Sequence, residues 1–375
     1  MYKTSEPAPA AGWDQGPALH DEARRIMQIC NACRYCEGYC AVFPAMTRRR
    51  MFSDADLSYL ANLCHNCKGC YYACQYAAPH EFDVNVPKTM AELRAWSWHA
   101  HAWPGVLQRA FRYNAGLIVF LGVIFTAGFL MLAGLMHDAE AMFRAQPGGD
   151  FFALLPHGMM VWTAGPVFVL ALLAMAVSVL RFYRQGGGAG PGGAAASRAV
   201  MDALSLKNLG GGGHGCNNHN EEFSMLRRNL HHAVFYGFML CFAATGVGTI
   251  YHYVFGWHAP YGWMSLPVWL GMSGGVLLSA GTAGLYLVRR RAEPAVSAAW
   301  LNGMETAFIG LLFFTGLSGI LLTLLRETAL MGTLLVLHLG AVLTLFAVLP
   351  YSKMVHGLYR LAALVRFHLE GARKN

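Results

Sequence analysis

The chain has 375 residues, of which 55% are hydrophobic and 13% are charged, and its formal net charge at pH 7 is +8. Because a soluble globular protein carries about 25% charged residues, this composition excludes an ordinary water-soluble fold and predicts a surface that largely faces lipid. The positive charge does not indicate nucleic-acid binding, because Lys and Arg flank long apolar segments, as the positive-inside rule describes, instead of clustering on a polar domain.

The region before the apolar segments divides into three parts. Residues 1–19 contain no continuous apolar run, so they predict a disordered N-terminus without a secretory signal. Residues 20–90 contain eight of the ten cysteines and predict a compact metal-binding domain, since disulfides are rare in a reducing compartment. Residues 91–112 combine three tryptophans with three arginines, which is typical of a connector at the membrane interface.

A repeated cysteine motif is the strongest chemical signal in the chain. Residues 30–40 and residues 64–74 both have the form C-x2-C-x2-C-x3-C. In two-cluster ferredoxins, three cysteines at this spacing bind one [4Fe–4S] cluster and the fourth binds the other. The predicted ligands are Cys30, Cys33, Cys36 and Cys74 for the first cluster, and Cys64, Cys67, Cys70 and Cys40 for the second. Structural zinc and disulfides are the alternatives, but zinc sites pair two-cysteine knuckles and need no third cysteine in each copy.

Six apolar segments follow, each long enough to cross ~30 Å of hydrocarbon as a helix. They are Tyr113–Met136, Pro156–Leu180, Leu230–Phe255, Leu266–Val288, Met304–Leu325 and Leu330–Leu349. A Gly-rich loop, residues 184–229, connects the second segment to the third. Residues 113–375 therefore predict a six-helix transmembrane bundle, in an all-α membrane protein with an N-terminal two-cluster ferredoxin-like α-helical domain.

The basic residues predict the orientation of the bundle. Six of them lie between the second and third segments and three, Arg289–Arg291, lie between the fourth and fifth, whereas the other connections carry at most one. By the positive-inside rule these two loops are cytoplasmic. The chain is therefore expected in the inner (cytoplasmic) membrane, with both termini and the cysteine domain in the cytoplasm.

Five histidines lie in or near the predicted spans, where an ionisable side chain is costly. They are His231, His232, His252, His338 and His356. Eighteen residues, or five turns, separate His338 from His356, so both are expected on one face of a single helix. Because the third and sixth segments are antiparallel, His231 or His232 is expected to meet His356. At the other end, His252 is expected to meet His338. These pairs predict one or two bis-histidine haem b groups, with histidines hydrogen-bonded to backbone or water as the alternative.

Three weaker signals remain. The segment Gly210–His219 is interpreted as a structural loop near the cytoplasmic face, with a metal site or a phosphate-binding loop as alternatives. Arg48–Arg50 is either a solvated face or a docking patch for an acidic partner. Glu305 and Arg326, at the ends of the fifth segment, are candidates for orienting or protonating a quinone, although such charges usually mark the membrane interface.

The order of these groups indicates electron transfer. Clusters and haem exchange single electrons, which a lipid-soluble quinone collects in pairs. The sequence therefore predicts a soluble donor in the cytoplasm and a quinone acceptor in membrane lipid.

Several longer motifs resemble the tricarballylate/citrate utilisation protein B family. They are the two cysteine motifs, Gly210–Cys216, Leu230–Thr245, Tyr251-His252, Ala259–Tyr261, Ser265–Pro267, His338–Gly340 and Pro350–Gly357. The resemblance extends from about Cys30 to the C-terminal tail. The membrane half of that family is itself similar to the cytochrome b subunits of respiratory nitrate reductase and heterodisulfide reductase, in which helical histidine pairs hold haem.

This resemblance implies an electron-transfer subunit of a flavoprotein:quinone oxidoreductase. Its partner would be a cytoplasmic FAD-dependent dehydrogenase acting on tricarballylate or a citrate-like tricarboxylate, whose reduced flavin it reoxidises. Two other functions remain open at this point. A quinol-oxidising subunit would pass electrons in the opposite direction to a cytoplasmic reductase, and a membrane redox sensor would also carry clusters. A transporter would explain the six spans but not the eight clustered cysteines.

Overall fold

The computed structural model describes residues 12–187, 192–218 and 220–372. Most of the N-terminal segment expected to be disordered lies outside these residues, and the first helix begins at Gly16. Helices account for nearly all of the regular structure, and the described residues contain one short β-hairpin, formed by β1 (Cys216–Asn217) and β2 (Phe223–Ser224). An all-α architecture follows, as the long apolar segments require.

Five helices form the cysteine-rich domain. Together with the short connector helix that follows them, they make up residues 12–112, called here the head. They are α1 (Gly16–Cys33), α2 (Val42–Met46), α3 (Asp54–Leu63), α4 (Gly69–Tyr72) and α5 (Val86–His101), followed by the connector α6 (Arg109–Arg112). A capping box between Ser53 and Asp56 fixes the start of α3. Helices α1, α3 and α5 pack on one another around fully buried side chains such as Met27, Leu60 and Leu93. The cysteine motifs lie where α1 and α3 end, on loops held by this core.

Six long apolar helices form the bundle. They are α7 (Asn114–Met136), α8 (His157–Gln185), α10 (Leu226–Tyr253), α11 (Leu266–Arg290), α12 (Asn302–Leu324) and α13 (Met331–Val348). All six are long and apolar enough to cross a membrane. Each predicted segment coincides with one of them to within a few residues.

Small residues allow the helices to approach closely. A Cβ atom added at Gly237 of α10 would lie 2.6 Å from the Leu278 backbone nitrogen of α11, and one at Gly281 would lie 2.8 Å from Val234. Such glycines let the backbones of the two helices touch, as small residues do between membrane helices. Helix α11 therefore packs along α10 on one side and α12 on the other, while α13 packs on α7, α8 and α12.

The head rests on one end of the bundle, called here the head end. The Tyr72 hydroxyl donates to Glu293 at 2.7 Å, and the Trp300 indole donates to Glu92 at 3.2 Å. Glu293 and Trp300 lie between α11 and α12, so the even-numbered spans end and the odd-numbered spans begin at this end. The opposite end is called the far end.

The last helix does not continue the sixth span. Helix α13 ends at Val348, a tight turn spans Leu349–Tyr351, Ser352 is extended, and α14 starts at His356. Pro350 explains the break, because proline has no backbone N–H and clashes with the preceding helical turn. The expectation of a single helix carrying both His338 and His356 is therefore wrong.

Helix α14 (His356–Ala372) ties the head to the bundle. It packs on α3, on α8 and on α9 (Gly193–Leu204). Arg49 pairs with Asp56 at 2.8 Å and with Glu370 at 2.5 Å, and Arg366 of α14 pairs with both carboxylates at 2.8 and 2.9 Å. Arg48 also contacts this network, so Arg48 and Arg49 are neither a free solvated face nor a free docking patch.

Candidate metal centre

The eight motif cysteines surround two cavities in the head. All eight are free thiols in the structure. A cavity of about 260 Å³ is lined by Cys30, Cys33, Cys36, Cys74 and Cys70. A second, smaller cavity is lined by Cys40, Cys64, Cys67 and Cys70. The fourth cysteine of each motif therefore lines the cavity of the other motif.

The largest charged influences on Cys30 and Cys70 follow the same crossed grouping, while Cys36 influences Cys70 from the other set. Burial and then the charges of Cys74, Cys36 and Cys33 raise the pKa of Cys30 to about 12. Burial also raises the pKa of Cys70, whose charged neighbours begin with Cys67, Cys64 and Cys40. Thiolates crowded in this way are unfavourable without a cation, and bound iron would supply the compensating charge. The donor sets fit two [4Fe–4S] clusters.

A single metal ion is bound differently from a cluster. Within the described ranges, no three His, Cys, Asp or Glu side chains lie close enough to share one ion. A [4Fe–4S] cluster needs no such convergence, because each of its four cysteines binds a different iron atom.

The loop of the second motif is held in an unusual backbone conformation. Asn66 and Lys68 have φ values of 54° and 66°, in the left-handed region that non-glycine residues rarely adopt. The conformation lets the Asn66 backbone N–H donate to the Cys64 sulfur at 3.3 Å. Bonds of this kind tune the potential of a cluster.

Three arginines surround this loop, and we call them the arginine collar: the buried Arg94 and the half-buried Arg227 and Arg360. Arg94 and Arg360 donate to the Cys64 carbonyl at 2.5 and 2.8 Å, and Arg227 donates to the Asn66 carbonyl. In the part of the chain that the structure describes, their acceptors are carbonyls and not carboxylates. Burial, and then the charge of Arg94, lowers the pKa of Arg360 to about 9. Buried cations require a negative partner, and a cluster with four thiolates would provide it.

The Gly-rich loop packs on the second motif. The Asn217 backbone N–H donates to the Cys67 carbonyl at 3.0 Å, and Cys216 is fully buried next to Cys67. Gly212, with φ of 83°, passes so close to Gly38 that an added Cβ would lie 3.4 Å from the Gly38 carbonyl oxygen. The loop is therefore structural in its described part, while His219 lies outside the described residues. No sequence signal placed Cys216 beside Cys67.

One histidine pair forms at the head end. The rings of His231 on α10 and His356 on α14 have centroids 5.9 Å apart at an interplanar angle of 79°. The Nδ1 atom of His356 lies 2.6 Å from the Lys353 carbonyl, whereas Nδ1 of His231 is buried with no hydrogen-bond partner among the described residues. His232 instead packs on Tyr236. His231 is therefore the histidine that meets His356, as one of the two alternatives expected.

A further histidine, missed by sequence reasoning, lies within the second motif, close enough to His231 to feel its charge. His65 is buried, and its Nδ1 lies 2.9 Å from the Leu63 carbonyl. Burial, and then the charge of Arg360, lowers its pKa well below the usual value. The sequence showed only that His65 lies between two cysteines of the C-x2-C spacing. Such a position does not indicate whether the side chain is buried.

The far-end histidines do not meet as expected. His252 stacks on His157 with ring centroids 3.9 Å apart, and its Nδ1 lies 3.0 Å from that of His258. His338 lies instead beside the Ser318 hydroxyl, 3.0 Å from its oxygen. The pairing of His252 with His338 is not found among the described ring contacts, because α10 packs chiefly on α11 and α13 packs on α7, α8 and α12.

The two charged residues of the fifth span have structural partners. Glu305 forms ion pairs with Lys353, at 2.5 Å, and with Arg289 at the head end. At the far end, Arg326 donates to the Tyr261 carbonyl at 2.7 Å and lies over the Trp263 ring. Glu305 therefore lies at the same end of the bundle as His356, and Arg326 lies at the opposite end.

Family models of known proteins match both parts of the chain. Residues 23–100 match the family model of the citrate utilization protein B Fer4-like domain, and residues 109–375 match that of citrate utilization protein B. A citrate utilization protein B from Escherichia coli is 47% identical over 354 residues, which cover 94% of this chain and 93% of the relative. No solved structure matches. The chain belongs to the citrate utilization protein B family.

Proposed function

We propose that this protein reoxidises the reduced flavin of a cytoplasmic FAD-dependent dehydrogenase and delivers the electrons to quinone in the membrane. One observation carries the proposal: two crossed sets of four cysteines lie in a head that rests directly on a bundle of six apolar helices. The Fer4-like match of the head supports an iron–sulfur electron-transfer role.

The chain supplies the environment for this transfer. Two [4Fe–4S] clusters, one on each crossed cysteine set, would supply one-electron relay sites. The head core excludes water from Cys64 and Cys67, whose side chains are 7% exposed. The collar places positive charge beside the second set, at the carbonyls of Cys64 and Asn66. That charge favours an electron at the second set over the first.

His231 and His356 would be the ligands of one haem b. Facing helices supply such ligands in membrane cytochromes b, and a hydrogen bond from the second ring nitrogen to a carbonyl fixes the tautomer. The Lys353 carbonyl lies where it can accept such a hydrogen bond from Nδ1 of His356. A haem bound there would supply a further one-electron site, and we propose one haem at the head end.

The dehydrogenase would act on tricarballylate or a citrate-like tricarboxylate. The name of the Escherichia coli relative, citrate utilization protein B, supports this substrate class. We further propose that the head end faces the cytoplasm, because the loops after α8 and α11, which carry the basic residues, lie at that end.

The test is a reconstituted assay with the purified protein in nanodiscs. Reduced dehydrogenase and a short-chain quinone are mixed with the protein, and quinol formation is followed optically. The wild-type protein is expected to support turnover, Cys70→Ser is expected to abolish it, and Cys241→Ser, in the middle of α10, is the matched control. Equal turnover without the protein would contradict the proposed function.

A further inference from the structure

Helix α9 lies in the connection between α8 and α10, and two contacts hold its C-terminal end against α10. Arg228, in the first turn of α10, donates to the Ser205 carbonyl at 2.8 Å, and the Tyr236 hydroxyl donates to the Leu204 carbonyl at 3.0 Å. Tyr236 follows Arg228 by eight residues, which is about 12 Å of helix. The end of α9 therefore lies beside the first turns of a membrane span, at the head end.

One face of α9 is used inside the protein. Ala195 and Ala199, four residues apart, are buried, and the helix packs on α14. Asp202, on the same side, pairs with His368 of α14 at 2.9 Å. These contacts fix the direction in which the other face of α9 points.

That other face is apolar and exposed. Val200, Met201 and Leu204 are all exposed, and Met201 reaches 62%. Residues three and four apart are neighbours on a helix surface, so the three side chains form one patch. A contiguous exposed apolar patch next to polar residues marks an interaction surface.

The patch continues a surface that would face lipid. Tyr236, whose hydroxyl holds the Leu204 carbonyl, is exposed on α10, and so are Met239 and Phe242 at the next steps of three residues along that helix. Tyrosine is enriched where a span passes from hydrocarbon into the headgroup layer. The apolar face of α9 therefore lies where the lipid-facing side of α10 reaches the headgroups.

Basic side chains flank the patch. Arg198 is exposed three residues before Met201, and none of the residues that the structure describes forms a hydrogen bond or ion pair with it. Lys207 is also exposed, at 3.6 Å from Asp202, whose carboxylate already pairs with His368. An apolar face bordered by cations is typical of helices that lie on membranes containing anionic lipids.

We propose that α9 lies on the lipid leaflet at the head end and binds its acidic phospholipids. Val200, Met201 and Leu204 enter the upper acyl-chain region, and Arg198 binds a phosphate-bearing headgroup. Because α9 packs on α14, and α14 pairs with the head through Arg366, this contact also supports the head on the membrane. The inference depends on membrane insertion of the bundle and is independent of the electron-transfer function.

Photo-crosslinking shows which molecule covers α9. The full-length protein with Met201→p-benzoylphenylalanine is placed in nanodiscs containing equal amounts of phosphatidylcholine and phosphatidylglycerol, irradiated and analysed by mass spectrometry. A phospholipid adduct is expected, as it is for Val123→p-benzoylphenylalanine on the exposed side of α7, where Val123 is 64% exposed. The matched control is Met51→p-benzoylphenylalanine. Met51 is 85% exposed and precedes α3, whose other end leads to Cys64 at the bundle, so no lipid adduct is expected.

A second variant tests the charge. In the protein carrying the photoreactive group at position 201, phosphatidylglycerol adducts are expected to outnumber phosphatidylcholine adducts. Arg198→Gln is expected to lower this ratio about fivefold, equivalent to ~1 kcal/mol. Arg198→Lys keeps the charge and is expected to keep the ratio. An unchanged ratio in Arg198→Gln would show that Arg198 binds no acidic headgroup.

Two results would overturn the leaflet contact. If position 201 gives no phospholipid adduct under conditions in which position 123 does, α9 faces water. If addition of the partner dehydrogenase replaces the lipid adduct at position 201 by an adduct with that protein, the patch is a protein-docking surface. In both cases the assay of quinol formation is unaffected, so the proposed function is judged separately.

Discussion

Cys64 is the residue at which the head and the bundle meet. Its sulfur accepts from the Asn66 backbone, and its carbonyl accepts from Arg94 of α5 and Arg360 of α14. The spacing of the motif predicted Cys64 as a ligand because cluster geometry depends on local sequence. The arginine collar follows no spacing, since its members are far apart in the chain and converge only in the folded protein.

The crossed ligand sets give a prediction at the residue scale. Cys74→Ser and Cys36→Ser are expected to remove the same EPR signal of the dithionite-reduced protein, because both cysteines belong to the first set. Cys40→Ser is expected to match Cys70→Ser in losing the other signal. Each variant loses about four of the iron atoms. If Cys74→Ser and Cys70→Ser instead remove the same EPR signal, each motif binds its own cluster.

The arginine collar gives a second prediction. Arg360→Gln removes a half-buried positive charge beside Cys64, so it is expected to lower the reduction potential of the second cluster by roughly tens of millivolts. The first cluster is expected to keep its potential. Arg360→Lys retains the charge and is the matched control. An EPR-monitored redox titration measures both potentials, and an equal effect of Gln and Lys would show that the hydrogen bond, and not the charge, matters.

At the scale of elements, the sequence pattern did not determine the direction of helix α14. A single helix carrying both His338 and His356 was the expectation from the sequence. The break at Ser352 turns α14 onto α3 and α9, where Arg366 and Glu370 pair with head residues. The six spans were predictable because length and hydropathy alone define them. The contacts of the last helix depend on residues from other elements.

The network between α14 and the head gives a prediction about stability and pH. Burial, the largest influence, raises the pKa of Asp56, but hydrogen bonds from Arg49 and Ser53 and the charge of Arg366 leave it lowered. A lowered carboxyl pKa stabilises the fold above the unfolded value of about 4, and this stability disappears only as the pH falls further. Asp56→Asn is therefore expected to destabilise the protein by about 1–3 kcal/mol, equally at every pH from about 5 to 8.

Thermal unfolding of the purified protein measures this effect. The control is Asp54→Asn, which removes the same charge from the same helix, where the side chain is 61% exposed and pairs with Arg24. Exposed pairs contribute about 0–1 kcal/mol. A difference between Asp56→Asn and the wild type that grew or shrank between pH 8 and pH 5 would contradict the pKa argument.

At the scale of the whole molecule, the protein is a cysteine-rich head on one end of a six-helix bundle. Motif spacing and hydropathy predicted these two parts and their order, because each depends on residues close in sequence. The far-end histidine pairing failed because it assumed that the third and sixth spans are neighbours along their full length.

The central claim is that the head carries two iron–sulfur clusters that conduct electrons toward the membrane. The most direct measurement is the iron and acid-labile sulfide content of the purified protein, combined with EPR spectra after dithionite reduction. We expect about eight iron and eight sulfide per chain beyond any haem, with signals from two reduced clusters. Stoichiometric zinc, or about four iron with a single cluster signal, would contradict it.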